Sequence, residues 1–225
     1  MTQHFHSIFR RAASPIARAK FLSRIFGTFS EEIVSLWAHD ERAPYESLGR
    51  PTIKTPGASR DHTLDFTLRE RSSGNIYVAE MKCEIEYQNF KYFALEQVEQ
   101  LEHHKKLAFE AFLKAAGSSP DQTVYVGGKS INTHGAILIW GSVTTEVRKA
   151  VMASKGFHDV LSIADICHDL SSWSHVGYRT LIAQRQEWSN ELFGGLLGNH
   201  VEDAQPIRIE TTFEVVSIRC STNKD

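Results

Sequence analysis

The chain of 225 residues has few cysteines and no CxxC pair. Its three cysteines, Cys83, Cys167 and Cys220, lie far apart, which argues against a disulfide framework and against a cysteine-rich zinc site. Long apolar runs are also absent, because none approaches the roughly 20 residues that span a bilayer. We therefore expect no membrane contact and a reducing, cytoplasmic setting.

A basic excess is missing as well. The formal net charge is −2, whereas general nucleic-acid binders tend to carry more Lys and Arg. The charge is nevertheless uneven, since the first acidic residue is Glu31 and several Arg and Lys residues precede it. Residues 1–29 are therefore predicted to be a basic helix or phosphate-contacting arm, although they also resemble an organellar transit peptide. Residues 30–225 have the length of one domain.

The central part of the sequence predicts a β-hairpin. Leu64, Phe66 and Leu68 alternate with polar residues over 62–70, and turn residues follow at 72–75. The stretch 76–84 then predicts the returning strand.

Periodicity and turn residues predict the remaining elements. They comprise a helix over 30–40 with Ser30 as N-cap, a strand over 50–55, a long helix over 88–116, a buried strand over 135–141, a helix over 144–154, a strand over 160–166, a helix over 171–193 and an edge strand over 207–220. This order favours an α/β fold with a mixed β-sheet between helices. His103 and His104, beside two lysines, are interpreted as solvated or phosphate-contacting.

The hairpin also brings charged residues together. Glu80 and Lys82 share one face of the returning strand because side chains alternate with a period of two. The sequence allows two pairings of the hairpin strands, which place Asp65 opposite either Glu80 or Lys82. In both pairings Asp65 lies on the same face of the hairpin as Glu80 and Lys82. Cross-strand neighbours lie about 5 Å apart, so two carboxylates would repel unless a cation lay between them. Mg²⁺ suits such a pair, since it binds one or two carboxylates together with water and phosphate oxygens.

The competing interpretation is a salt-bridged hairpin that faces solvent. Against it, Val78, Ala79 and Met81 make the returning strand apolar around Glu80. An acid in a buried strand is costly unless it is paired or bound to metal.

The stretches T-L-D-F-T-L (63–68) and V-A-E-M-K (78–82) resemble the PD-(D/E)xK motif of the restriction-endonuclease-like nucleases. Asp65, Glu80 and Lys82 match its Asp, its (D/E) and its Lys, while Leu64 stands where the motif has Pro. Asp61 is the rival aspartate. The resemblance covers about residues 30–140.

The resemblance implies a restriction-endonuclease-like core, in which a helix, three strands, a helix and another strand surround a Mg²⁺ site. It implies a nuclease, with Asp65 and Glu80 as metal ligands, Lys82 as a catalytic residue and Mn²⁺ as a substitute for Mg²⁺. Glu32 and Gln97 are the accessory candidates, with Gln88 and Tyr92 as an alternative pair. We expect nucleic acid, DNA before RNA, as the substrate, and a homodimer remains open. The alternatives are a catalytically silent binding module of this fold and an unrelated α/β protein.

Overall fold

A computed structural model describes residues 16–57, 60–82, 86–87, 90–91, 93–117 and 122–197. The strands are β1 (Tyr45–Gly49), β2 (Pro51–Lys54), β3 (His62–Thr63), β4 (Phe66–Glu70), β5 (Ile76–Lys82), β6 (Glu86–Tyr87), β7 (Phe90–Lys91), β8 (Ala94–Leu95), β9 (Thr123–Val126), β10 (Lys129–Ile131), β11 (Ala136–Trp140), β12 (Ser142–Val143) and β13 (Asp159–Ser162). The helices are α1 (Ile16–His39), α2 (Leu107–Ala116), α3 (Thr145–Lys155), α4 (Ile163–Ser172) and α5 (Val176–Leu196), with a 3-10 helix at Val98–His103. Within these ranges, no helix is both long and apolar enough to cross a lipid bilayer.

Five strands form the central sheet, in the order β1-β4-β5-β11-β13. β1, β4 and β5 are antiparallel neighbours, whereas β11 runs parallel to both β5 and β13. The mixed pairing follows from the connections, because a tight turn joins β4 to β5 while helix-containing crossovers join the parallel strands. All five residues of β11 are buried, as expected for a strand covered on both faces. The predicted α/β fold with a mixed sheet is confirmed.

Helices cover both faces of this sheet. On one face α2 packs against β5 and β11, and its Phe109 joins a buried cluster that includes Val78. On the other face α1 packs against β1 and α4. There the Trp37 indole donates a hydrogen bond to Asp169 of α4 at 3.0 Å, and its ring lies 6.4 Å from that of Tyr45. All five residues of β11 and the central residues of β5, from Tyr77 to Glu80, are buried, so these two strands are shielded from solvent on both faces.

A second sheet contains β10, β9, β2 and β3 in that order. β2 forms within the strand predicted over 50–55, but it joins this second sheet. The antiparallel neighbour of β4 at the edge of the central sheet is instead β1, a strand that the sequence did not indicate. Gly49 turns the chain from β1 into β2 with a φ of 105°, a conformation that favours glycine. This turn places Arg50 between the two sheets.

The prediction of one long helix over 88–116 is wrong. Its described residues form β7, β8, the 3-10 helix and only then α2. β8 pairs with β12, and the carbonyl of Phe93 accepts a hydrogen bond from the backbone N–H of Ser142 at 2.9 Å. These contacts join segments distant in sequence, so local periodicity could not indicate them.

Other predicted boundaries also moved. The helix predicted over 30–40 is α1, within which Ser30 is buried rather than an N-cap. The strand predicted over 160–166 ends at Ser162, whose hydroxyl caps α4 by accepting from the N–H of Asp165 at 3.2 Å. The helix predicted over 171–193 is divided between α4 and α5, whereas the helix predicted over 144–154 is confirmed as α3. The edge strand predicted over 207–220 lies outside the described residues.

The chain divides into two compact units between Arg179 and Thr180, within α5. The first unit contains both sheets and the helices α1 to α4. In the second, the Arg185 guanidinium lies 4.4 Å from the centre of the Trp188 ring. The predicted boundary between an N-terminal arm and the domain, at residues 29 and 30, falls within α1.

Gly141 is expected to tolerate no side chain. A Cβ at this position would lie 2.6 Å from the Phe93 carbonyl oxygen and 2.7 Å from its ring. Gly141→Ala should therefore lower the free energy of unfolding by about 1–3 kcal/mol, because backbone and ring must move apart. Urea denaturation measures this loss. The matched control is Gly27→Ala in α1, where an added Cβ meets nothing within 4 Å; equal losses in both variants would contradict the close approach.

Candidate active site

The register of β4 and β5 places Asp65 beside Glu80. The ladder pairs Phe66 with Ala79, and the next positions in each strand are Asp65 and Glu80. Asp65 Oδ2 accepts a hydrogen bond from the backbone N–H of Met81 at 2.8 Å. Of the two registers open to the sequence, the structure has the one that opposes Asp65 to Glu80. The Asp65 carboxylate therefore lies against the last residues of β5.

Glu80 is a buried carboxylate, with 7% of its surface exposed. Lys82 Nζ donates to Glu80 Oε1 at 2.6 Å, while Oε2 has no hydrogen-bond partner among the described residues. Burial raises the pKa of Glu80, the charge of Lys82 lowers it, and the charge of Asp65 raises it again. The net effect is a raised pKa, so the ionised form of Glu80 is less favourable here than in water.

Lys82 is enclosed by apolar surface. Its side chain is 13% exposed, and Nζ lies 5.3 Å from the centre of the Phe109 ring. The parallel register places Lys82 next to Trp140, which is fully buried. A charge in such surroundings interacts more strongly than one in water. The interpretation of a solvent-facing hairpin is therefore wrong, since both Glu80 and Lys82 lie inside the fold.

His104 packs against the two aromatic residues that lie beside Lys82, Phe109 and Trp140. It is 6% exposed, and its ring lies 5.3 Å from that of Phe109 and 5.7 Å from that of Trp140. Burial, followed by the positive charge of Lys82, lowers the pKa of His104 to about 4. The imidazole is therefore neutral near physiological pH. The interpretation of His104 as a solvated residue was wrong, and its lysine-rich surroundings in the sequence gave no sign of this burial.

A cleft of about 480 Å³ opens at Asp65. Its lining comes from α1, from the end of β1 and from the start of β4, and comprises Glu31, Glu32, Ser35, His39, Ser47, Leu48, Gly49, Arg50, Asp65 and Phe66. Glu32, the accessory acid suggested by the resemblance, thus lies in the same cleft as Asp65. The walls carry both acidic and basic groups, so the cleft suits a polar ligand better than an apolar one.

Gln97 does not lie on a helix that covers the sheet, contrary to expectation. It is exposed and precedes the 3-10 helix. The buried glutamine of this segment is Gln100, whose side chain bonds to backbone groups. Its Oε1 accepts from the N–H groups of Glu96 and Gln97 at 2.6 and 3.0 Å, and its Nε2 donates to the carbonyl of Ala94 at 3.0 Å. Gln100 therefore shapes the chain after β8.

The remaining sequence candidates are Asp61, Gln88 and Tyr92. Asp61, the rival aspartate, is exposed and pairs with Lys54 at 3.4 Å. Gln88 and Tyr92 lie outside the described residues.

Arg50 is a site residue that sequence reasoning missed. One terminal nitrogen lies 3.5 Å from Asp65 Oδ1, and the other lies 3.5 Å from Glu31 Oε2. Its side chain is 58% exposed. Gly49 and Pro51 mark a turn in the sequence, but the partners of an arginine in that turn depend on the tertiary fold.

The donor atoms suit a hard divalent cation. The described residues contain no group of three or more His, Cys, Asp or Glu side chains arranged to hold a metal ion. Mg²⁺ needs fewer protein ligands, because one or two carboxylates suffice when water and substrate oxygens complete its shell. Asp65 and Glu80 provide two carboxylates, and Glu80 Oε2 has an unused acceptor.

Comparisons with protein-family models, with curated proteins and with solved structures find no match to this chain.

Glu80 should make stability depend on pH. Because its pKa is raised in the folded state, folding favours the protonated form. The stability that protonated Glu80 contributes is fully present below the pKa of the unfolded chain, near 4.5. It is lost as the pH rises through the pKa of Glu80 in the folded state. The free energy of unfolding of the wild type should therefore fall relative to that of Glu80→Gln across this window.

Urea denaturation at a series of pH values on both sides of the window measures this difference. Glu110→Gln, at an exposed position of α2, is the matched control. A wild-type minus Glu80→Gln difference that stays constant with pH would show that Glu80 is not perturbed by its burial.

Proposed function

We propose that the protein is a Mg²⁺-dependent nuclease that hydrolyses phosphodiester bonds in nucleic acid, DNA before RNA, with Mn²⁺ able to replace Mg²⁺. The observation that carries the proposal is the meeting of Asp65, Glu80 and Lys82 at the end of β5. A buried carboxylate beside a second carboxylate costs free energy, and while Lys82 pairs closely with Glu80, Asp65 has only a 3.5 Å contact with the exposed Arg50. A bound cation would account for the arrangement.

The order of the elements supports the same proposal. When the strands of the smaller sheets and the 3-10 helix are left out, the chain order is α1, the three antiparallel strands β1, β4 and β5, then α2 and the parallel strand β11. This is the order that the resemblance to the PD-(D/E)xK nucleases implied. Glu80 and Lys82 lie on β5, and Asp65 directly precedes β4, so the proposal has its three residues at neighbouring positions of one hairpin.

In the proposed mechanism each residue has a separate task. Asp65 and Glu80 would hold the divalent cation, which would supply Lewis-acid polarisation of the phosphodiester and a more acidic water. Lys82, kept in place by Glu80 Oε1, stabilises the negative charge that develops on the phosphate oxygens. Phe109 and Trp140 exclude water around Lys82, which strengthens that interaction.

A second candidate function is a catalytically silent binding module. It is favoured by the ion pairs of the site, since Lys82 already contacts Glu80 and Arg50 already contacts Asp65. Both carboxylates thus have a cationic partner within the chain. The two candidates differ in cleavage of DNA or RNA in the presence of Mg²⁺ or Mn²⁺.

Lys82→Ala is expected to lower the cleavage rate by roughly 10²–10³-fold while metal binding is nearly retained, because Lys82 acts on charge that develops during attack. Single-turnover cleavage of plasmid, linear and branched DNA measures the rate. Lys82→Met retains most of the apolar stem beside Phe109 and should lose as much activity. Lys106→Ala, at an exposed position, is the control. Wild-type rates in both Lys82 variants would exclude Lys82 from catalysis.

Asp65→Asn is expected to lose both metal binding and cleavage, because an amide oxygen replaces a charged ligand. The change retains a side-chain acceptor for the Met81 N–H, so the end of the β4–β5 ladder is preserved. Calorimetric titration with Mn²⁺ measures the binding. Asp61→Asn, an exposed aspartate on the same segment, should bind as the wild type does. Unchanged binding by Asp65→Asn would rule out the proposed ligand.

A further inference from the structure

We propose that Arg50 is a built-in competitor of the divalent cation: its guanidinium contacts Asp65 Oδ1 until that oxygen becomes a metal ligand, and Glu31 then retains it. This inference rests on the proposed function, because it concerns the same cation site. It assigns to Arg50 a regulatory role, the setting of the metal affinity.

The hydrogen bonding of Asp65 leaves one oxygen for this competition. Oδ2 is engaged by the backbone N–H of Met81 at 2.8 Å, a contact that belongs to the hairpin itself. Oδ1 is the oxygen that Arg50 approaches, at 3.5 Å. A cation that takes Oδ1 therefore meets the guanidinium first. Like charges at one carboxylate oxygen repel, so occupancy by one weakens the other.

The contact between Arg50 and Asp65 is suited to release. At 3.5 Å it is longer than a strong charge-assisted hydrogen bond, and the Arg50 side chain is 58% exposed. The Asp65 side chain is 16% exposed, but the Arg50 end of the pair lies in water, so the contact contributes on the order of 1 kcal/mol or less. The pair thus neutralises Asp65 at a small cost to metal binding.

Glu31 provides a second position for the same guanidinium. Its Oε2 lies 3.5 Å from the other terminal nitrogen of Arg50. Arg50 can therefore leave Asp65 without losing every carboxylate partner. Both partners border the cleft at Asp65, so a released Arg50 stays within the site. Lysine would lack this property, because it has no fork that reaches two carboxylates at once.

The test is a calorimetric titration of the full chain with Mn²⁺ alone, without nucleic acid. Arg50→Gln should bind Mn²⁺ about two- to fivefold more tightly than the wild type, the range expected for loss of one exposed ion pair. Lys54→Gln is the control, because it removes one positive charge from the neighbouring strand β2, where Lys54 pairs with Asp61 and not with Asp65. This variant should bind Mn²⁺ with the affinity of the wild type. The rise in melting temperature on adding Mn²⁺ should also be larger for Arg50→Gln, since tighter binding stabilises the folded state further.

A double-mutant cycle with Glu31 separates competition from a general charge effect. Glu31→Gln should weaken Mn²⁺ binding in the wild-type background, where Arg50 is left with Asp65 alone. In the Arg50→Gln background the same change should have a smaller effect. Equal effects in the two backgrounds would overturn the proposal.

The outcomes also separate this inference from the proposed function. If the wild type binds Mn²⁺ and Arg50→Gln binds equally or more weakly, Arg50 is no competitor, although the nuclease proposal stands. If the affinities follow the expected order but no protein cleaves DNA or RNA, the inference stands and the nuclease proposal fails. If neither the wild type nor Arg50→Gln binds Mn²⁺, both are overturned.

Discussion

The ion pair between Glu80 and Lys82 constrains much of the first unit. Both residues lie on one face of β5, and both are enclosed because α2 packs against β5 and its neighbouring strand β11. Burying an ion pair costs the desolvation free energy of both charged groups, which can exceed their attraction. The pair is therefore weak evidence of a stabilising role. The Asp65 carboxylate adds a second negative charge and raises the pKa of Glu80 further. The fold thus maintains an electrostatically unfavourable group at the end of its central strand.

The hairpin that carries this group could be predicted from the sequence. Alternation around Leu64, Phe66 and Leu68 indicates one strand over 62–70, which the structure divides into β3 of the second sheet and β4 of the central sheet. A period of two still fixes which side chains share a face in either register. For this reason the proximity of Asp65, Glu80 and Lys82 followed without knowledge of the tertiary fold. The buried strand β11 could also be predicted, because a short apolar run bounded by glycines is typical of a strand that is buried on both faces.

Features that depend on distant contacts could not be predicted. The apolar spacing over 88–116 fits a helix, but pairing of β8 with β12 and the close approach of Phe93 to Gly141 divide the segment. Ser30 resembles an N-cap, yet α1 already began at Ile16. Arg50 and His104 have no local pattern at all, since their partners come from other elements. In each case tertiary packing overrode a valid local signal.

The parallel pairing of β5 with β11 has a consequence for how the chain folds. Glu80 is the register partner of Leu138, a residue far along the sequence, whereas Asp65 is its neighbour within a local hairpin. Hairpins close in microseconds, but non-local pairing must first overcome the entropy of closing a long loop. The hairpin is therefore expected to bring the two carboxylates together while both are still in water, where their repulsion is weak. The long-range pairing of β5 with β11 and the packing of α2 against both strands must then overcome the electrostatic penalty of the site.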